Sequence, residues 1–406
     1  MKRILYYIKL LLLMFCIGGA VFACKENEVD NKSYKPELTI FFHQPYSGLE
    51  YYLNRDLDEV NKALLEHPEL IKKLNILYFR NNEISGKLYK KEYRKNKATG
   101  EAFIEDVLQK EYPLSQTDYT SFSGLHKIFS DVISIGKTDK YGMIIGCHAN
   151  GWLPTTEDKS SRASYNNKRK VFGRTSSDMY DTTYKTLGKA IEATGKRFEF
   201  ILIDDCNSQN IEVAYDLRNS CHYLIGSVTE IGAEGQQYET AIQNLLAANY
   251  SAICDNTLAY YTQPGNSWGT ATLSVIDCSQ AEHMATIMKD IYKNSDPSDV
   301  KRSDVQILDG YDHFLYGYNI FYDFSDYVHI LCKDQTLIAN FDSQLKKLVV
   351  YNVYTPEFNS CFFDGYYRDG KPYLRPLTTC CGISCSDLCS EKQTEWKETD
   401  WYKATH

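Results

Sequence analysis

The sequence lacks several things that would send it toward other classes of protein. It has no basic excess: 45 Lys and Arg stand against 53 Asp and Glu, a net charge of −8. That sets aside a nucleic-acid partner, which normally shows as a basic face. It has no internal repeat and no low-complexity tract, which excludes solenoid arrays and a largely disordered chain. Its N-terminal apolar run, Leu10 to Phe22, falls short of the roughly 20 residues that a lasting transmembrane helix needs. No acidic loop has the spacing of calcium ligands.

What is present is a globular composition, with 24% charged and 43% hydrophobic residues over 406 positions. That is enough for one large α/β domain or two ordinary ones. The 33 tyrosines suit surfaces and interfaces, a carbohydrate-stacking surface being the alternative. Met1-Lys-Arg-Ile and the apolar run after it read as an export signal over residues 1–23. Val21-Phe-Ala-Cys24 resembles a bacterial lipobox with Cys24 as the lipidated residue; ordinary signal-peptidase cleavage is the alternative. Lys25-Glu-Asn-Glu resembles the export tag of Bacteroidetes surface lipoproteins, and residues 24–36 then read as a polar tether. The expected location is therefore the bacterial outer membrane, reached through a lipid. Of 13 cysteines, Cys16 leaves with the signal. The cluster Cys380, Cys381, Cys385 and Cys389 has spacings that fit no familiar zinc knuckle, so disulfides or buried thiols are expected and no metal is assigned.

From Leu38 onward, short apolar runs alternate with helical spacing, which predicts an α/β fold with a mostly parallel sheet covered on both faces. Strands are expected at Leu38–Phe42, Leu74–Phe79, Tyr141–His148, Phe198–Cys206 and Tyr223–Val228. Helices are expected at Leu49–Leu65, Phe122–Ile133, Asp178–Ala193, Ile211–Arg218 and Tyr238–Ala248. In the first of these, Leu53, Leu57, Val60, Leu64 and Leu65 share a face. Residues 81–118 read as a charged, irregular stretch that forms a hairpin or an excursion around Leu88 to Tyr93, and residues 153–177 as a long basic loop. Past residue 255 the pattern weakens to strands near Thr272–Ile276 and Leu345–Val353 and helices near Ala281–Tyr292 and Phe324–Leu331. Trp396 and Trp401 read as anchors for the C-terminus. The expected organisation is a main domain over 37–300 and an extension or subdomain over 301–406.

Two of the strands end in reactive side chains. Tyr141-Gly-Met-Ile-Ile-Gly-Cys-His148 closes on a histidine and Phe198-Glu-Phe-Ile-Leu-Ile-Asp-Asp-Cys206 on a cysteine, 58 positions apart. The C-terminal lip of an open α/β sheet is where ligands bind. A thiolate beside an imidazole there is a candidate nucleophile with its acid/base. In caspases the His likewise precedes the Cys by about 50 residues. Cys147, next to His148, should alternate to the opposite side of its strand.

His148-Ala-Asn-Gly-Trp152 is similar to the His-Gly-x-Gly-Trp motif of clostripain-like (C11) cysteine peptidases. Asp204-Asp-Cys206, with Ile211-Glu-Val-Ala-Tyr-Asp-Leu217 after it, resembles that family's Asp-Ala-Cys…Val-Glu-Val-Ala-Tyr-Glu-Leu stretch. The likeness continues through Glu234-Gly235 and covers about residues 38–280. It implies a caspase-like α/β/α sandwich and a cysteine endopeptidase cutting after Arg or Lys. His148 would be the general acid/base and Cys206 the nucleophile. Backbone N–H groups of Ala149 and Cys206 would hold the oxyanion, and Asp204 and Glu234 would line a pocket for the basic side chain. Family members often mature by cutting themselves between the His and the Cys. Lys159, Arg162, Lys168, Arg169, Lys170 and Arg174 are the candidates here, a solvated basic loop being the alternative. No cofactor is required by this chemistry; some relatives use calcium. Ala149 in place of the motif glycine, and the polar Asn207-Ser-Gln-Asn210 after the nucleophile, depart from the family pattern on the oxyanion side. The other reading these departures leave open is a weak or inactive surface lipoprotein that binds peptide or glycan in the same cleft. The expected partners are peptides with Arg or Lys at the cleavage site, and the membrane through the lipid.

Overall fold

A computed structural model describes residues 35–45, 48–82, 85–113, 118–149, 151–153, 182–310, 318–361, 363, 367–368 and 371–406. The proposed signal, Cys24, Asn150 and all six candidate self-cleavage residues (Lys159, Arg162, Lys168, Arg169, Lys170 and Arg174) lie outside these. Pro36–His406 form one compact unit, and no described helix is long and apolar enough to cross a membrane.

Five strands run parallel through the middle of a nine-stranded sheet: β1 (Leu38–Gln44), β2 (Leu74–Asn81), β5 (Lys140–Gly146), β6 (Phe198–Asp204) and β7 (Cys221–Ser227). Their order is β7-β6-β5-β1-β2. Phe200, Ile201, Leu202 and Ile203 of β6 have no exposed surface, as a parallel strand covered on both faces requires. Each such side chain stabilises the fold by about 1.5–3 kcal/mol.

Antiparallel strands extend both edges. On one side stand β3 (Ser85–Lys95) and β4 (Ala102–Pro113). On the other stand β8 (Thr272–Asp277) and β10 (Val349–Tyr354), with the short strand β9 (Tyr322–Asp323) elsewhere. Of the hairpin and the excursion expected at 81–118, the structure has the hairpin, longer and more regular than the stretch around Leu88 to Tyr93. Its charges pair instead of dispersing: the buried Lys91 ammonium donates to Asp106 at 2.9 Å and to Asn61 at 2.8 Å, tying the hairpin to the helix beside it.

Helices cover both faces, completing the α/β/α sandwich. One face carries α1 (Glu50–Glu66), and α2 (Phe122–Gly136), α3 (Tyr184–Glu192) and α4 (Ile211–Asp216) pack on the other. The first face is completed by α5 (Tyr238–Leu246) and α6 (Tyr250–Tyr261), the second by α7 (Ala281–Lys293), α8 (Phe324–Leu331) and α9 (Gln335–Leu348). Leu53, Leu57, Val60 and Leu64 are buried as expected, whereas Leu65 is 39% exposed at the edge of the stripe. Thr183 caps α3 by accepting from the Thr186 N–H at 3.1 Å. It therefore ends the preceding loop and takes no place in the helix. The helices α6 and α9 were not expected, and α9 takes residues 345–348 from the predicted strand. Trp396 and Trp401 are fully buried and anchor the C-terminus as read.

Candidate active site

The last paired residues of β5 and β6 are Gly146 and Asp204. One step further, the Cys147 thiol donates to Asp205 Oδ2 at 2.9 Å, so the two chains stay side by side beyond the formal strands. Continued by one more residue, this register would set His148 opposite Cys206. Alternation puts Cys147 and Asp205 toward the α2–α3 face, where Cys147 belongs to the core. Cys206 packs on the opposite face with Leu202 and Ile231. Cys147 is buried, as expected for the off-side residue, and His148 is half-buried. The Cys206 thiol lies 3.7 Å from the Ile231 carbonyl, and its residue is 8% exposed.

Between β6 and α4 the chain makes a tight turn. Asn207 adopts φ +51, a left-handed conformation that Asn tolerates better than most residues. Its N–H donates to Thr229 O at 2.9 Å, and those of Ser208 and Gln209 donate to Ser227 O at 2.9 and 3.1 Å. The polar stretch after Cys206 is therefore wholly buried and tied to the end of β7. The Cys206 N–H donates to Asp205 Oδ1 at 3.2 Å; an oxyanion would compete with that carboxylate for it. Ala149 is buried and does not have a positive φ, so the alanine at the motif position is unstrained. Gly151 does have one, at φ +55, and a Cβ there would lie 2.7 Å from Asn210 Nδ2 and 2.8 Å from the Phe321 ring. Only glycine lets the His loop approach this closely.

Asp204 sits on the Cys206 face of β6. Its Oδ2 accepts from the Gln236 N–H at 3.0 Å and the Tyr238 hydroxyl at 2.7 Å, while Oδ1 is buried without a hydrogen-bond partner. Burial pushes the Asp204 carboxyl upward, opposed by those two donors and by the charge of Arg55. Gly235, at φ +60, lies against it: a Cβ would come 2.4 Å from Oδ2. Glu234 is the neighbour of that glycine, so the two expected pocket acids stand on either side of one residue. The Glu234 carboxylate folds back toward Gly232, and its carbonyl accepts from Arg55 of α1.

Several residues at the site were not singled out from the sequence. Tyr184 is buried close enough to Asp205, Cys147 and Cys206 that their charges, after burial itself, push its hydroxyl well up. Glu212 of α4 is buried and accepts from the Ser386 N–H at 3.1 Å and from Trp396 Nε1 at 2.8 Å. Trp152 of the His loop donates to Ser386 Oγ at 2.7 Å. Ser384 donates its N–H to Gln209 O at 3.0 Å. A C-terminal segment thus clasps both loops of the site, and a separation of 174 residues between Glu212 and Ser386 leaves no local signal for it. Of the four clustered cysteines, Cys380, Cys385 and Cys389 are buried thiols. Burial pushes Cys380 and Cys389 up to about 12.

Comparison with known proteins agrees with this geometry. The model of the clostripain family, Peptidase_C11, matches residues 45–378. The structure is similar to that of iotapain, a secreted C11 cysteine protease from Bacteroides thetaiotaomicron, at 32% identity. The match covers 91% of this chain and 99% of that one with a TM-score of 0.76. An inactive zymogen C11 protease from Parabacteroides distasonis is similar at 24% identity, covering 92% and 98% of the two chains with a TM-score of 0.69. A secreted C11 cysteine protease from Bacteroides thetaiotaomicron, in complex with an irreversible peptide inhibitor, is similar at 21% identity, 91% and 98% coverage and a TM-score of 0.73. No curated protein matches the sequence.

Proposed function

The chain belongs to the clostripain family of cysteine peptidases, and on that premise we propose an endopeptidase that cuts after Arg or Lys through Cys206 and His148. What supports the reading is the Cys147–Asp205 contact, which carries the β5–β6 register one residue past the paired strands; continued by one more residue, that register sets His148 beside Cys206. The Cys206 thiolate attacks the scissile carbonyl carbon, and the carbonyl oxygen takes the negative charge. Collapse of that intermediate expels the amine, which takes a proton from the His148 imidazolium. His148 then accepts a proton from water, whose hydroxide attacks the thioester and releases Cys206. Backbone N–H groups of Ala149 and Cys206 hold the oxyanion in both steps, the second once it gives up Asp205.

The basic side chain before the cut would meet Asp204, whose buried Oδ1 has no donor among the described residues, with Glu234 next to Gly235. A buried carboxylate oxygen is costly to leave without a donor, and a substrate guanidinium or ammonium supplies one. Self-processing after Lys159, Arg162, Lys168, Arg169, Lys170 or Arg174 belongs to the same reading, since each offers the residue the pocket takes. So does export and lipid anchoring at Cys24, in keeping with the secreted relative. The chemistry as written requires no cofactor, and the assay below is run with and without calcium because some relatives use it.

Residues 25–406 assayed against fluorogenic Arg, Lys and Asp peptides, with Cys206→Ala as control, test the whole. Cys206-dependent turnover of the Arg and Lys peptides is expected, with or without calcium. Its absence ends the catalytic reading, and equal cutting after Asp removes the pocket roles of Asp204 and Glu234. Intact mass should show two chains for the wild type and one for Cys206→Ala; one full-length chain in both removes self-processing.

A further inference from the structure

An arginine already stands at the wall of the proposed basic pocket. Arg55 projects from α1; its guanidinium donates to the Glu234 carbonyl, and its Nε pairs with Glu59 at 3.4 Å. The next residue along the chain from that carbonyl is Gly235, against which Asp204 is pressed so closely that a Cβ would lie 2.4 Å from one carboxylate oxygen and 2.7 Å from the other. A single peptide unit therefore separates the resident guanidinium from the carboxylate expected to read the substrate. Its surroundings are strongly acidic: Glu59, Asp56 and Glu234 all act on Arg55, and Arg55 acts on Asp204. Asp56 lies one residue along α1, is 4% exposed and has a buried Oδ1 with no hydrogen-bond partner.

We propose that Arg55 is a specificity-determining residue, a built-in cation that competes with the substrate's basic side chain for the field of Asp204. The inference rests on the pocket reading above. Like charges held within a few ångströms in a partly dried site repel far more strongly than in water. The acids alone would make the pocket hold Arg and Lys tightly; Arg55 weakens that hold. Arginine suits the role because its planar fork can serve the Glu234 carbonyl and the Glu59 carboxylate at once. The same two contacts hold the 232–236 loop to α1, so the residue also positions the wall, and the test separates charge from scaffolding.

Arg55→Met keeps an apolar stem and removes the charge; Arg55→Lys keeps the charge. Both are compared with wild type on peptides bearing Arg, Lys or norleucine before the cut, at about pH 8.5, above the carboxylate range. Expected for Arg55→Met is a KM for the Arg and Lys peptides lower by about fivefold to tenfold. The norleucine KM should stay within about twofold, and Arg55→Lys, which keeps the charge but not the fork, should leave the ratio of the basic to the norleucine KM near wild type. A parallel change on all three peptides, or a rise in KM for the basic ones, overturns the proposal. Should Arg55→Met not fold, Arg55→Gln takes its place. A second arm measures binding of an arginine peptide by fluorescence anisotropy in the Cys206→Ala background, so that a failure of the catalytic reading does not decide this one. Tighter binding after Arg55→Met upholds it, and unchanged or weaker binding overturns it.

Discussion

The two sides of the β6 tip are held in different ways. Residues 207–212, which follow Cys206, are clasped by backbone carbonyls at and just past the end of β7, by the Ser384 and Ser386 N–H groups and by the Trp396 indole. The loop 232–236, which faces Asp204, is held by Arg55, by the Asp204 carboxylate and by the Glu59 carboxylate that accepts from the Tyr238 N–H at 2.8 Å. The first side is fixed by buried, mostly neutral hydrogen bonds, which salt scarcely touches. The second is fixed by partly exposed charges, which salt screens. Chemistry and selectivity should therefore respond to different perturbations, and four measurements press on that contrast.

The largest effect belongs to the nucleophile side. His148→Ala should lower kcat by about a thousandfold or more on every peptide, without altering the ranking of Arg, Lys and norleucine substrates. A changed ranking would mean that chemistry and selectivity are not separate.

Gly235→Ala strikes the other side. The new Cβ would overlap the Asp204 carboxylate and must sit at φ +60, so a stability loss of about 1–3 kcal/mol is expected. The KM for basic peptides should rise more than tenfold while that for norleucine peptides changes little. Urea unfolding and paired KM values check this; equal loss on both peptide types would count against a charge-reading pocket.

The clasp itself is sensitive to pH. Burial raises Glu212 from 4.5 to about 7, so between those values the native state holds a proton that the unfolded chain has lost. Stability should then be greatest below about pH 4.5 for this group and fall as pH rises through 7, by up to ~3 kcal/mol. Urea midpoints measured from pH 5 to pH 8 should decline in the wild type, and Glu212→Gln should flatten the slope. An unchanged slope would show that the clasp does not titrate there.

The smallest effect compares two neighbouring cysteines of different standing. Cys147→Ala removes a buried thiol whose role is packing and one bond to Asp205, so it should cost about 1–3 kcal/mol of stability and leave kcat within a fewfold. If it abolished turnover as Cys206→Ala is expected to, the division between the two faces of the sheet would be wrong.

Much of this site was legible because it lies where strands end. Apolar runs of parallel-strand length announced β5 and β6, and period-two alternation separated Cys147 from His148 and Asp205 from Asp204. The sandwich followed from the repeated strand–helix order. The β3–β4 hairpin was legible as one of two readings but not in its length or bounds, because its alternation is between charged and less charged residues, with a buried lysine satisfied by partners from two other segments. The helix α9 was hidden because its apolar stripe runs straight into the strand after it. Arg55 reads as an ordinary helix-surface charge until α1 is seen to lean over the Glu234 loop. Glu212 was quoted only as part of a motif; its partners arrive 174 and 184 residues later, beyond any local pattern.

That distance carries a consequence for the birth of the protein. A ribosome finishes Cys206 and its helix long before it makes Ser386 and Trp396, and until then Glu212 keeps its water and the turn above it lacks half of its brace. The nucleophile would be present but unposed throughout most of synthesis. Its posture would be set only when the segment carrying Ser386 and Trp396 folds back, so that activity waits on the docking of that segment and not on the appearance of the reactive residue.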